Sequence, residues 1–148
     1  VSTAILEQRD VQWRIATSGR GLYPLDGRVA SWLRENAALA GWVQVFLPHT
    51  SAGLILQENA DPDVQRDLLD FLGRLVPDGD PRYRHRNEGP DDMAAHIRTV
   101  LTQNSLSIPV RDGVLQLGTW QGLYLIEHRQ QAQQRHLWVG FTGHCAQR

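Results

Sequence analysis

Apolar and polar positions alternate loosely over residues 4–16, and that period of two predicts a strand with Trp13 and Ile15 on one face. Gly19 and Gly21 break the pattern, and the period then changes. Val29, Trp32, Leu33, Asn36 and Ala37 fall at the i, i+3, i+4, i+7 and i+8 positions of one helical face. A helix over 27–39 is expected, capped by Asp26 and ended by Gly41. Residues 42–47 return to alternation, with Val43, Val45 and Leu47 on one face and His49 continuing it if the chain stays extended through Pro48. A short apolar run, 53–56, follows. Asp61-Pro62 then starts a helix, because the carboxylate can accept from a free N–H and proline lacks a donor where none is needed. That helix runs to about Leu75, with Val64, Leu68, Leu69, Leu72 and Leu75 as its buried stripe and Gln65, Arg66, Asp67 and Arg74 in water.

Residues 76–90, rich in Pro and Gly, read as a loop long enough to suggest a functional segment. Asp91 or Asp92 opens a third helix with Met93, Ile97, Val100 and Leu101 inside and His96 bordering the core. Strands are expected over 106–110, 114–117, 123–127 and 137–141. The first two are joined by a hairpin turn at Arg111-Asp112-Gly113, where Asp-Gly favours positive φ. Leu123, Tyr124, Leu125 and Ile126 are apolar on both faces, the pattern of a core strand or of a subunit interface. No repeat or linker interrupts the chain. The reading is α+β: one compact domain over residues 1–148, mainly antiparallel sheet with about three helices.

Composition narrows the function classes. The chain has 148 residues, enough for one real core, and a formal net charge of -1, which gives no pull towards nucleic acid or acidic membranes. Lysine is absent, so Schiff-base chemistry on this chain is excluded. The lone cysteine, Cys145, lies in a segment expected to fray and cannot form an intrachain disulfide, which fits a reducing compartment. No apolar run approaches the roughly 20 residues of a membrane span, and the N-terminal residues lack the pattern of a signal peptide. A cytoplasmic protein is expected.

Two polar clusters carry the candidate chemistry. Residues 49–61 combine an imidazole, hydroxyls, amides and carboxylates, and 85–96 form a second such cluster. Their convergence at one site is the working expectation. His49, His85 and His96 could hold zinc or another first-row metal with a position left open. The competing reading makes His49 a hydrogen-bonded strand end and His96 a partly buried helix residue. Among the carboxylates, Asp61, Asp91 and Asp92 sit at helix starts, where they stabilise the positive end of the dipole. Glu58 and Glu88 have no such role and are the candidate catalytic groups. At the break over 118–122, Trp120 could stack on a ring while Thr119 and Gln121 bond its edge; a turn around a core Trp is the alternative. The run Arg82-Tyr83-Arg84-His85-Arg86 is too short for a nucleic-acid surface and reads as a solvated or phosphate-binding loop. No Walker loop, dinucleotide fingerprint, nucleophile elbow or Cys-x-x-Cys is present.

The pieces together resemble a known family. His49-Thr50-Ser51-Ala52-Gly53 with Glu58-Asn59-Ala60-Asp61-Pro62 is similar to the first signature of the YjbQ family. His85 with the run from Glu88 through His96 to Ile97 is similar to the second, and Ser105, Ile108-Pro109, Gly113 and Leu117-Gly118-Thr119-Trp120-Gln121 to the third. The resemblance implies a compact α+β homotrimer with a divalent metal, zinc or magnesium, on His49, His85 and His96. It also implies a secondary thiamine-phosphate synthase. That reaction joins a pyrimidine-methyl diphosphate to a thiazole phosphate and releases diphosphate. In this scheme Ser51, Asn59, Arg98, Thr119, Trp120 and Gln121 contact a small phosphorylated metabolite, and Glu58 and Glu88 orient ligands or move protons. A metal-dependent phosphohydrolase and a non-catalytic trimeric metal or small-molecule binder are the alternatives. The chain departs from the family pattern after Glu127-His128-Arg129, where residues 130–135 are Gln-rich. Arg98 also stands where Lys is common in the family.

Overall fold

A computed structural model describes residues 4–147. Residues 1–3, part of the segment weighed as a signal peptide, and residue 148 lie outside the described residues. In chain order the elements are β1 (Glu7–Thr17), β2 (Gly21–Pro24), α1 (Asp26–Glu35), β3 (Ala38–Phe46), β4 (Ala52–Glu58), α2 (Pro62–Leu75), α3 (Asp92–Leu101), β5 (Ser105–Arg111), β6 (Val114–Leu115), β7 (Gln121–Glu127) and β8 (Gln133–Cys145). Every strand pairing is antiparallel. Five strands form one sheet in the order β1-β8-β3-β5-β6, and three form another, β2-β7-β4. The expected α+β class is the one observed. No helix among the described residues is long and apolar enough to cross a membrane.

One core joins the two sheets. Leu137, Val139 and Phe141 of β8 point inward beside Val43 and Val45 of β3 and Ile108 and Val110 of β5. The small sheet adds Ala52, Leu54, Leu123 and Leu125, and α1 adds Val29, Trp32 and Leu33. Burial of this apolar surface drives the assembly of layers. Truncating Phe141 to Ala would cost about 3–5 kcal/mol. Strand β7 is paired along both edges as the middle strand of the small sheet, and both its faces are covered. Leu123 and Leu125 face the core, and Tyr124 meets Gln65 of α2 on the other side.

Some expectations hold and others fail for identifiable reasons. Asp61 caps α2 by accepting from Asp63 N, and Pro62 begins it. Asp112 and Gly113 both take positive φ in the β5–β6 turn, 53° and 75°. Helix α1, however, stops at Glu35, and Ala37 turns the chain at φ 54° so that β3 starts at Ala38. Pairing with β8 overrides the helical pattern there. Asp26 makes no capping hydrogen bond; it lies in the first turn, after Leu25. Strand β2, whose four residues have no alternation of their own, is created by its pairing with β7. Cys145 pairs opposite Ala38 within β8, so that segment is ordered strand, not a frayed tail.

Helix α2 turns most of its apolar stripe inward as expected but only to half-burial, and α3 is oriented differently from its apolar pattern. None of the residues of α2 is buried. In α3 the buried positions are Asp92, Ala94, Ala95 and Arg98, and Val100, expected inside, is 83% exposed. The two alanines let α3 approach β4 closely; ion pairs satisfy Asp92, while Arg98 is bonded at Nη2 alone among the described residues. Periodicity reports that a face needs cover. It cannot report whether the same chain supplies the cover.

Candidate metal centre

Asp92 and His96 are four residues apart on α3, so the helix sets them one above the other. His85 reaches them from the 76–91 connection. Its Nε2 lies 2.6 Å from Asp92 Oδ2, and His96 Nε2 lies 3.0 Å from the same oxygen. One ligand atom from each of the three residues falls within 4.8 Å of the other two.

The protonation of His96 follows from its other neighbour. His96 Nδ1 is 2.8 Å from the main-chain oxygen of Thr50, which can only accept, so Nδ1 carries the hydrogen. A neutral ring then turns the lone pair of Nε2 towards the carboxylate of Asp92. Two electron-rich atoms at that distance need a cation, either a proton or a metal, between them. An imidazole anchored by a carbonyl at one nitrogen and free at the other is the usual arrangement of a metal ligand. The donor set therefore fits a divalent ion.

Arg129 braces this group from behind. Its Nη1 is 2.8 Å from Asp92 Oδ1, its Nε 2.9 Å from Asp91 Oδ2, and its Nη2 3.0 Å from the carbonyl of Glu88. One guanidinium thus ties the start of α3 to the loop that bears His85. Asp92 has a side chain only 2% exposed. Burial works against its charge, but the His85 hydrogen bond and the charge of Arg129 prevail and hold it below the usual carboxylate range. The Glu88 carboxyl lies beside Asp92 and stays exposed.

Beneath Thr50 lies a buried polar network. Arg135 donates to the carbonyl and hydroxyl of Ser51, at 3.1 and 2.9 Å, and pairs through Nε and Nη2 with Glu127. Thr17 Oγ1 and the amides of His128 and Arg129 also donate to Glu127. Burial opposes the charge on Glu127, yet the bonds from Arg135 and Thr17 hold its carboxyl below the usual range. Ser51 is therefore held in place by this network, which positions Thr50 beside it.

The two polar clusters meet only in part, through Thr50 and His96. His49 is not among the converging ligands. Strand β3 ends at Phe46, and His49 N bonds Leu47 O at 2.9 Å in a tight turn around Pro48. The ring turns towards β8, where its Nε2 accepts from His136 N at 2.8 Å and it stacks on His136. Because Nε2 accepts, the ring hydrogen sits on Nδ1, and burial, then Arg135 and His136, lowers the pKa of His49.

Register separates the remaining candidates. β4 pairs with β7 so that Ala52 faces Glu127 and Glu58 faces Gln121. The metal group lies at the Ala52–Glu127 end. Glu58, Asn59, Thr119, Trp120 and Gln121 lie at the other, about 20 Å away along the strand. There Glu58 accepts from the amides of Ala60 and Asp61, and Asn59 and Gln121 bond the backbone of the same turn. Trp120 is 62% exposed and is not a core residue. Arg98 is 1% exposed and donates to Val76 O, with its Nε unpartnered among the described residues. Sequence reasoning undervalued Asp92, read as a helix start, and missed Arg129. The available signal was the four-residue spacing from Asp92 to His96. Nothing local marks Arg129.

A cavity of about 350 Å³ adjoins His85, walled by Tyr83, Arg86, Pro81 and Pro90. Arg86 uses Nε and Nη2 on the carbonyls of Tyr83 and Pro81 and forms no ion pair among the described residues.

Residues 11–144 match a family model described as UPF0047 protein YjbQ-like. A UPF0047 protein of Synechocystis is 46% identical over 142 residues, covering 96% of this chain and 97% of that one. YjbQ of Escherichia coli O157:H7 is 40% identical over 116 residues, 78% of this chain and 83% of the relative. A solved structure of an uncharacterised YjbQ/UPF0047 protein from Clostridium acetobutylicum matches with a TM-score of 0.81 at 35% identity, covering 88% of this chain and 98% of that one.

Proposed function

The chain belongs to the YjbQ-like UPF0047 family, and from that premise we propose that it is a metal-dependent enzyme acting on a small phosphorylated metabolite. The observation that carries the proposal is the convergence of His85, Asp92 and His96, with His96 anchored through Nδ1 on Thr50 so that its Nε2 faces the carboxylate. Two imidazoles and one carboxylate suit zinc better than magnesium, which prefers oxygen ligands. A divalent ion there supplies Lewis acidity and positive charge against a phosphate or diphosphate. Arg86, uncommitted to any carboxylate, binds the same anion from the loop side. Arg129 keeps Asp92 oriented, and Glu88 moves protons at the rim.

The family resemblance supports a thiamine-phosphate synthase reaction, in which a pyrimidine-methyl diphosphate is joined to a thiazole phosphate and diphosphate leaves. Trp120 and its neighbours would wall the pyrimidine only if another copy brought them to this site. The phosphohydrolase reading is favoured by one observation, the exposed Glu88 beside Asp92, which can accept a proton from water. Purified protein should carry a stoichiometric divalent metal, and Asp92→Asn should lose both metal and turnover. Diphosphate release only when both substrates are present supports the synthase, and phosphate release from one phosphorylated metabolite supports the hydrolase. Metal binding with no turnover on either panel would leave a binding protein and sink both.

Self-assembly, as the homotrimer the resemblance implies, belongs to the same proposal. The surface of 8946 Å² compares with roughly 7,600 Å² for a compact monomer of this mass. Phe71 and Leu75 of α2 and Val100 and Leu101 of α3 are among the exposed apolar side chains. Their cover would come from other copies, and light scattering at micromolar concentration tests it. A cytoplasmic location is proposed from the lone cysteine.

A further inference from the structure

Residues 79–90 form a closed loop. Its neck is the bond from Gly79 N to Pro90 O at 2.8 Å, and both glycines near the neck, Gly79 and Gly89, take positive φ, 65° and 102°. The flanks are fastened to the body. Asp78 accepts from both Nη atoms of Arg20 and from Gln130, and Arg129 holds the Glu88 carbonyl.

Between these fastenings the loop bonds to itself. Arg82 binds Asp80, Tyr83 N binds Asp80 O, and Arg86 binds the carbonyls of Tyr83 and Pro81. Across residues 80–87, one hydrogen bond among the described residues reaches the body of the protein, from His85 Nε2 to Asp92. The cavity next to His85 is lined by loop residues, from Gly79 to Pro90.

The three prospective ligands therefore differ in kind. Asp92 and His96 are fixed by α3, by Arg129 and by Thr50. His85 is held by a short-range loop that meets the body at one half-exposed contact, which water can replace.

We infer that residues 79–90 are a latch closed by the cation at His85, Asp92 and His96. Metal binds Asp92 and His96 on the rigid helix, His85 follows as the ligand delivered by the loop, and the cavity walled by Tyr83 and Arg86 takes shape only then. Metal loading so regulates access to the substrate pocket. This inference rests on the metal reading above and adds to it a dependence of loop order on the ion.

The test uses the full chain, stripped with chelator and then titrated with zinc chloride. Limited trypsin digestion is followed by mass spectrometry of the cuts after Arg82, Arg84 and Arg86, and zinc binding is measured in parallel by competition with a chromogenic chelator. Zinc should slow these three cuts by about tenfold or more, since cleavage follows the open population, and leave cuts elsewhere nearly unchanged. His85→Ala should bind zinc more weakly and be cut in the loop at a rate that zinc does not alter. Amide exchange of residues 80–88 in the wild-type chain, with and without zinc, gives the same answer without a variant. Zinc binding with unprotected loop cuts would overturn the latch and leave the metal centre standing. Absence of zinc binding would overturn both. Zinc protection persisting in His85→Ala would show that His85 does not carry the closure.

Discussion

His96 and Thr50 are joined by a 2.8 Å hydrogen bond from the ring Nδ1 to the main-chain oxygen, and this bond decides which nitrogen faces Asp92. Forty-six residues separate the partners. Their meeting brings the start of one sequence cluster onto the end of the other.

Arg129 has no atom among the prospective ligands but orients Asp92 through Oδ1. Arg129→Ala should weaken zinc binding by about 10- to 100-fold, the range for partners that orient metal ligands. Chelator competition measures it. An unchanged affinity would mean that Asp92 needs no bracing.

Glu127 and Arg135 form a buried pair whose partners are all accounted for. Arg135→Met leaves Glu127 charged and unpaired, and should cost about 3–5 kcal/mol in urea unfolding. Arg135→Met combined with Glu127→Leu should recover most of that loss. If the double variant is no more stable than the single one, the pair is needed for more than mutual neutralisation.

His128 gives a pH dependence. Burial first, then the charge of Arg98, lowers its pKa to about 3, and its Nε2 lies 3.2 Å from Thr102 Oγ1. The unfolded chain protonates this residue near pH 6.5, and the folded one does not until about pH 3. The unfolded state thus binds more protons in that window, so stability is complete above pH 6.5 and falls as pH drops. The slope is about 1.4 kcal/mol per pH unit. His128→Gln should flatten this part of the profile in denaturant titrations at pH 4 to 7. A slope equal to wild type would assign the acid sensitivity to other groups.

Trp120 is exposed and lies at the end of β7 away from His85, Asp92 and His96. Trp120→Ala should change stability by no more than about 0.5 kcal/mol and leave zinc content unchanged. If it nevertheless abolishes turnover, a second copy supplies Trp120 to the site. Sedimentation of mixed Trp120→Ala and Asp92→Asn chains, assayed for restored turnover, separates that case from misfolding.

Local rules were enough to read a good part of this protein from its residues. The Asp61-Pro62 helix start, the Asp112-Gly113 turn, the buried face of α1 and the apolar run 123–126 of β7 each follow from neighbouring residues, because caps, positive φ and side-chain period act over a few positions. His85 and His96 were legible as candidate ligands for the same reason. Other features depend on partners distant in the chain. The β4–β7 register sends Trp120 and Glu58 to one end and Arg129 to the other, and no local pattern encodes that choice. A turn at Pro48 takes His49 away from His85 and His96, because its Nε2 finds an amide on β8. Asp92 looked like an ordinary helix start until a loop imidazole and a distant arginine surrounded it. Sequence by itself determined the elements and the chemical types available. Tertiary structure decided which of them meet, because hydrogen bonds and charges act through space and the chain order does not record those distances.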